Sequence, residues 1–249
     1  LDGKNPILEN RYRDLKTGKD SVVFDHGLAE NFSIVDMDGG KTLAAYRILN
    51  PAAGIKTTFS MYKGKKQSDG SYKWKKAYPR NKYVAVFLGV HNKKVYIQSS
   101  EAGDTYGIVS IDVLKGNKRK IVIPGRKKSV LHTAELVGDK LILQYHSIPK
   151  QNVMLEVRSL VNKKAPRKIT MGSKLGLTPF GNLSRFQFGP GGKTARATYS
   201  DVFNGSKVLE MSLKSGRVKV LKNTKDIDFN SKRVRQKLVQ FKAKDGTKL

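Results

Sequence analysis

Short apolar runs alternate along the whole chain with turns rich in Gly, Asp, Asn and Lys. Residues 32–35 and 42–46, for example, flank the turn Asp38-Gly39-Gly40-Lys41, and another apolar run follows at 57–62. Runs of this kind that are closed by turn residues predict antiparallel hairpins. No segment has the apolar spacing of a helix. The pattern therefore predicts an all-β protein.

The same group of strands recurs along the chain. Its second strand begins near Leu43, Val95, Leu141 and Ala195, which gives a period of roughly 50 residues, in the range of propeller repeats. The strands predicted for the later three repeats are 83–87, 95–97, 107–111 and 120–123; 129–131, 141–143, 153–157 and 167–169; and 186–188, 195–199, 208–211 and 218–221.

This repeat predicts a partial β-propeller of about four to five four-stranded blades, because each blade buries its faces only against its neighbours. Residues 11–24 are expected to form the outer hairpin of a further blade whose inner half is missing. A β-sandwich is the competing fold, although a sandwich does not require even spacing.

Composition narrows the possible functions. The 249 residues include 49 Lys and Arg against 20 Asp and Glu, a net charge of +29, and no cysteine. The lack of cysteine excludes disulfides, cysteine nucleophiles and iron-sulfur clusters.

No uncharged apolar run is long enough to cross a bilayer, and no membrane partner is predicted. Leu1 and Leu249 are expected to be cut ends. The compartment stays open between cytoplasm and periplasm.

The last part of the chain departs from the repeat. Asp226-Ile227-Asp228-Phe229-Asn230-Ser231 is followed by a strand-like run at 238–241 and by the turn Lys244-Asp245-Gly246-Thr247-Lys248. This series resembles the domain junction of the prolyl oligopeptidase family of serine peptidases, where a similar turn leads into an α/β-hydrolase domain. Residues 106–112, 122–124, 129–131 and 138–141 are similar in order and spacing to successive strands of that family's propeller.

The resemblance has departures. Gly103, Asp104 and Gly107 stand where the family often has Asn-Ala-Pro-x-x-Arg, and Asn230-Ser231 replaces Asp-Pro. The resemblance implies two parts: residues 1–223, a partial β-propeller, and residues 224–249, the last strand and a junction toward an α/β-hydrolase domain that this chain lacks.

Catalysis is not predicted for these residues. The family's hydrolase domain carries its nucleophile in a Gly-x-Ser-x-Gly elbow, which does not occur here. The nearest segment, Gly181-Asn182-Leu183-Ser184-Arg185, makes Ser184 a strand or loop residue. We expect no catalytic residue, cofactor or metal in this chain, whereas the resemblance makes the parent protein a serine-type peptidase.

The resemblance also implies a role. The propeller would cover the hydrolase active site, restrict access to short proline-containing peptides and have the hydrolase domain as its partner. The family has a substrate-contacting arginine at the end of a middle-blade strand, and Arg47 is the candidate substrate-gating residue here. Counted from Asp38-Gly39 it falls in register, whereas counted from Gly40-Lys41 it is one residue off. A solvent-facing arginine is the alternative reading of this position.

Other chemistry-bearing residues have structural interpretations. His132 and His146 are predicted on neighbouring strands of one blade, but two histidines fall short of a zinc site. Gly189-Pro190-Gly191-Gly192-Lys193 lacks the ending of a phosphate-binding loop and is predicted to be a turn between strands. His26 precedes a glycine, and His91 is predicted in a hairpin turn.

The basic stretches are the remaining feature. They occur at residues 63–66, 73–76, 118–120, 126–128 and 163–164, with Tyr72, Trp74 and Tyr78 nearby. Such a mixture can bind nucleic acid through phosphate contacts and stacking. We interpret the cations mainly as turn lysines spread around a rim. The second hypothesis is a stand-alone basic β-propeller that serves as a binding or scaffold module for nucleic acid or a protein partner.

Overall fold

A computed structural model describes residues 9–13, 18, 20–25, 33–49, 58–78, 83–147, 153–162, 164–170, 181–201 and 205–224. These ranges contain eighteen strands. The strands are β1 (Glu9–Arg13), β2 (Asp20–Asp25), β3 (Ser33–Asp36), β4 (Thr42–Leu49), β5 (Thr58–Lys66), β6 (Tyr72–Tyr78), β7 (Ala85–His91), β8 (Lys94–Ser99), β9 (Gly107–Asp112), β10 (Lys118–Ile123), β11 (Ser129–Val137), β12 (Lys140–Ser147), β13 (Val153–Ser159), β14 (Arg167–Thr170), β15 (Asn182–Phe188), β16 (Thr194–Asp201), β17 (Gly205–Ser212) and β18 (Val218–Thr224).

The strands form one hairpin and four antiparallel meanders. Strands β1 and β2 pair with each other, and blades 1 to 4 consist of β3–β6, β7–β10, β11–β14 and β15–β18, each in chain order across its sheet. The predictions of an all-β fold and of a partial β-propeller with about four to five four-stranded blades are confirmed: the described residues form four such blades, and a hairpin occurs where residues 11–24 were expected to form one. Strand β6 was not predicted, because its lysines were interpreted as turn residues.

Consecutive blades pack face to face through the alternating side chains of their middle strands. In β8, Val95 and Ile97 belong to an apolar cluster shared with blade 1, whereas Tyr96 belongs to a cluster shared with blade 3. A third cluster joins blade 3 to blade 4, for instance through Leu155 and Tyr199. Successive side chains of a strand point to opposite faces of a sheet, so a middle strand can be apolar throughout when both faces are covered.

The first and fourth strands of the blades differ in charge. The fourth strands carry Lys and Arg without any Asp or Glu, whereas among the first strands only β15 has a cation, Arg185. The fourth-strand cations are Lys73, Lys75, Lys76, Lys118, Arg119, Lys120, Arg167, Lys168, Lys219 and Lys222. Lysines on an edge strand discourage pairing with another sheet.

The blades have two ends. We call the end where the second strands finish, at Leu49, Ser99, Ser147 and Asp201, the upper face. The opposite end, with the turns between first and second strands, is the lower face. One of these turns has positive φ at both Asn92 and Lys93, as a two-residue hairpin of primed type requires. Lys93 Nζ lies 2.7 Å from Asp38 Oδ1 in the equivalent turn of blade 1.

Among the described residues, no helix has the length and apolar character needed to cross a bilayer.

Candidate functional site

The predicted gating residue lies on the upper face. Arg47 is the sixth residue of β4, and its backbone is paired with Ser60 of β5. The sixth residues of the other second strands are Ser99, Tyr145 and Tyr199, all of which are buried. The described structure places the backbone of Arg47 but not its side chain, so a role in substrate contact stays a prediction.

A line of polar side chains joins blades 2, 3 and 4 near this face. Gln98 Nε2 donates to Leu131 O at 2.9 Å and to His132 O at 3.3 Å. The imidazole rings of His132 and His146 stack with their centroids 4.7 Å apart. Gln144 Nε2 lies 3.1 Å from His146 Nε2 and donates to Asn182 Oδ1 of blade 4 at 3.0 Å.

These contacts confirm that His132 and His146 stand on neighbouring strands of one blade. Burial, together with the nearby His132, lowers the pKa of His146 below its ordinary value. A neutral His146 ring can accept the hydrogen bond from the Gln144 amide. Gln98 and Gln144 are each the fifth residue of a second strand. This repetition is a sequence signal that could have revealed both bridges between blades.

A buried carboxylate forms a second inter-blade link. Glu156 of β13 is 0% exposed and accepts two hydrogen bonds of 2.8 Å from Arg126 Nη2, one at each carboxylate oxygen. Arg158 Nε donates to Glu156 Oε1 at 2.5 Å. The Arg126 guanidinium also lies 4.0 Å from the centroid of the Tyr145 ring. We call these four residues the Glu156 clasp.

The clasp ties blade 3 to the segment that enters it from blade 2. Burial acting alone would raise the pKa of Glu156, but hydrogen bonds from Arg158 and Arg126 and the attraction of their charges outweigh it. The pKa of Glu156 therefore lies below its ordinary value. Glu156 is ionised at neutral pH and holds both guanidinium groups, because a buried charge is stable only when it is paired.

Blades 1 and 2 have a related link. The Tyr78 hydroxyl donates to Glu101 Oε2 at 2.9 Å and lies 3.0 Å from Ser99 Oγ, while Arg119 Nη1 is 2.7 Å from Glu101 Oε1. Burial is the main cause that raises the pKa of Tyr78, so the hydroxyl keeps its proton and acts as a donor. Each interface between successive blades thus contains a polar link as well as apolar packing.

The remaining predicted positions can now be placed. Ser184 lies within β15, and the glycines at 189–192 form a short 3-10 turn between β15 and β16, as predicted. His91 ends β7 directly before its turn. His26 and the junction from 225 to 249 lie outside the described residues. Within the ranges that the structure describes, no three His, Asp or Glu side chains group in a way that could hold a metal ion.

The interpretation of the basic stretches as turn residues was wrong for three of them. Residues 63–66 belong to β5, residues 73–76 to β6 and residues 118–120 to β10. The cations around Arg126 lie in the segment between β10 and β11. Strands β6 and β10 are edge strands, which accept lysine because their outer side is hydrated, so their composition resembles that of turns. Residues 63–66 form the end of the middle strand β5, before the turn that leads to β6.

The described contacts suit a scaffold better than an active site. They join blade to blade, and the chain contains no Gly-x-Ser-x-Gly segment that would present a nucleophile. What the arrangement provides is a series of blades joined by apolar packing and polar links, with Gln98, Gln144 and His146 near the upper face. Because such a face could meet another domain or a peptide, comparison with known folds is informative.

Solved structures show the same fold. Prolyl oligopeptidase B from Galerina marginata, bound to a 35mer hydrolysis and macrocyclization substrate, superposes with a TM-score of 0.65 at 17% identity over 92% of this chain and 31% of that chain. A structure from a study of two prolyl endopeptidases matches with a TM-score of 0.67 at 18% identity over 96% of this chain and 33% of that one. The unliganded Galerina enzyme superposes with a TM-score of 0.64 at 15% identity over 97% of this chain and 36% of that chain.

These matches confirm, at the level of fold, the resemblance to prolyl oligopeptidases and the partial propeller. The chain spans about a third of the length of the structures that it matches. No family profile matches the chain. No curated protein sequence matches it either.

Proposed function

We propose that this chain is the non-catalytic, substrate-gating propeller part of a prolyl oligopeptidase-like serine peptidase. The observation that carries the proposal is the match of almost the whole chain to about a third of each prolyl oligopeptidase structure. The similarity of residues 226–231 and 244–248 to the family's domain junction adds to it. In this proposal residues 1–223 form the partial propeller, and residues 224–249 lead to the α/β-hydrolase domain.

In the proposed mechanism the propeller selects substrates and excludes water. The nucleophile, the base and the oxyanion donors belong to the hydrolase domain, which cleaves after proline. The polar links and the apolar packing between blades support this division of roles, because a wall of joined blades excludes long or folded substrates more effectively than separate ones. Arg47 at the end of β4 would contact the peptide.

The test compares peptide lengths. In the natural polypeptide that contains this chain, a short peptide with one proline site should be cleaved with a much higher kcat/KM than a long peptide with the same site. The 249-residue chain alone should cleave neither. Cleavage by the isolated chain that persists through further purification would overturn the proposal.

Arg47 is tested in the same assay. Arg47→Ala should raise KM for the short peptide more than it lowers kcat, since binding is lost and the chemistry is untouched. Arg47→Lys is the matched control and should restore part of the affinity through its charge. Unchanged KM in both variants would assign Arg47 to the solvent-facing alternative.

A second candidate function is a stand-alone basic module that binds nucleic acid. The ten cations of the fourth strands, with no acidic residue among them, favour it. Its signature would be RNA or DNA binding that weakens steeply as salt increases.

A further inference from the structure

A cleft separates blades 3 and 4 at the lower face. Its volume is about 510 Å³, and it is lined by the start of β12, the end of β13 with the following segment, the start of β14, and the turn after β17. Val157 and Leu213, which are 8% and 4% exposed, provide its apolar wall. This volume is within the range of small-molecule sites, roughly 300–1,000 Å³.

The polar lining of the cleft is strongly cationic. Four of its residues bring a cationic side chain to it, and none is acidic: Lys140, Lys164, Arg167 and Lys214. Lys168 also lines the cleft, but it pairs with Glu156 of β13, so its side chain lies on the face toward blade 2. The nearest acid of the adjacent turn, Asp139, accepts a hydrogen bond from Ser159 Oγ at 3.1 Å, and its Oδ1 lies 4.0 Å from Lys140 Nζ. One carboxylate, beside Lys140, therefore accompanies four cations.

Backbone carbonyls hold two of these cations in place. Lys140 Nζ lies 3.4 Å from both Gly191 O and Gly192 O of blade 4, and Arg167 Nη1 donates to Ser215 O at 3.3 Å. Among the described residues, the side chains of Lys164 and Lys214 have no hydrogen-bond or ion-pair partner. The cleft thus combines two fixed donors with two cations that are available to a ligand.

Like charges that converge in one concave site repel one another, and a bound anion removes this cost. Lys and Arg are the usual partners of phosphate, Arg through paired N–H donors and Lys as a compact charge. Four cations exceed what one phosphate needs and match a group of several phosphates. The lining residues belong to two neighbouring blades only, an extent that suits a small molecule better than a polymer, which needs a continuous groove.

We propose that the cleft between blades 3 and 4 binds a small molecule that carries several phosphate groups, such as a free polyphosphate or the phosphate chain of a nucleotide. The ligand bridges Lys140 and Arg167 on blade 3 to Lys214 on blade 4. Because it binds the folded blades and not the unfolded chain, it stabilises their packing. This site is independent of the peptidase proposal, since it needs no hydrolase domain.

Calorimetric titration with inorganic tripolyphosphate tests the proposal, and ATP serves as a second ligand. Saturable binding with one ligand per chain is expected at physiological ionic strength. Tighter binding of ATP than of tripolyphosphate would identify a nucleotide as the natural source of the phosphate groups. Equal affinities for the two ligands would identify a free polyphosphate. Either result supports the site. Lack of saturable binding by both ligands would overturn it.

Matched variants locate the binding. Lys164→Gln with Lys214→Gln should weaken tripolyphosphate about tenfold or more, because two charge-assisted contacts are lost. Lys219→Gln with Lys222→Gln on β18 changes the net charge equally outside the cleft and should leave the affinity nearly unchanged. Equal weakening by both pairs, or RNA binding that depends equally on both, would show a general charge effect and overturn the proposal.

A folding control completes the design. Far-UV circular dichroism of each variant should match that of the parent protein. If the double cleft variant does not fold, Lys214→Gln replaces it, because Lys214 lies in a turn and is exposed. Tripolyphosphate should also raise the melting temperature of the parent protein, and Lys214→Gln should reduce that rise. An equal rise in both proteins would count against the cleft.

Discussion

Blade 3 uses charge in opposite ways at its two interfaces. Toward blade 2, the fully buried Glu156 is held by Arg126 and Arg158. Toward blade 4, four cationic side chains line one cleft without an acidic residue in its lining. The buried charge of the first group is paired within the protein, whereas the cations of the second group have no acidic residue among them. The difference shows which interface the fold stabilises by itself and which one leaves room for a ligand.

The comparison implies that removing a cation has opposite effects at the two interfaces. A cation of the Glu156 clasp offsets the desolvation of a buried carboxylate, so its loss leaves an unfavourable charge behind. A cation of the cleft is repelled by its neighbours, so its loss relieves repulsion. Mutations at the two sites should therefore change the free energy of unfolding with opposite signs.

The largest effect is expected at the clasp. Arg126→Ala should lower the free energy of unfolding by about 3 kcal/mol, because it leaves Glu156 with one partner and removes the stacking on Tyr145. Arg196→Ala is the control, since the Arg196–Glu210 pair is 60% and 34% exposed, and should cost about 0.5 kcal/mol or less. Urea denaturation measures both. Equal losses of unfolding free energy in the two variants would mean that the burial of Glu156 does not strengthen its pairing with Arg126.

Acid should weaken the same link. The pKa of Glu156 is lowered in the folded protein, so its stabilising contribution is present above the ordinary glutamate range and is lost as pH falls through the lowered value. Glu156→Gln should be less stable than the parent at neutral pH, and the difference should shrink as pH is lowered. Urea midpoints measured between neutral and acidic pH would reveal this, and a constant difference would contradict it.

The smallest effect is expected at the cleft and has the opposite sign. Lys214→Gln should raise the free energy of unfolding by about 0.3 kcal/mol at low salt, because one of four mutually repelling charges is gone. The gain should vanish in high salt, which screens exposed charges. A loss of stability at low salt would show that Lys214 has a favourable partner within the protein.

The repeat could be predicted from the sequence because each strand is a local pattern. The second strands at Leu43, Val95, Leu141 and Ala195 have a regular spacing, and the structure places them in four equivalent blades. Strand β6 was missed, because Lys73, Lys75 and Lys76 resemble turn residues in composition. The alternation of Tyr72 and Trp74 with lysines was the signal for an edge strand.

The sites depend on contacts that sequence patterns do not encode. Glu156 and Arg126 are 30 positions apart and lie in a strand and an inter-blade segment, so neither one predicts the other. The cleft is formed by turns from two blades, and its charge emerges only when these turns meet. The Arg47 interpretation came from a resemblance and stays a prediction.

Length selection by the natural polypeptide that contains this chain tests the central proposal most directly. The measurement is the ratio of kcat/KM for a short and a long peptide that share one proline site. A ratio strongly in favour of the short peptide, which falls toward one when Arg126→Ala loosens the blades, is the predicted result. Equal cleavage of both peptides by the unaltered protein would contradict the assignment of this propeller as a substrate gate.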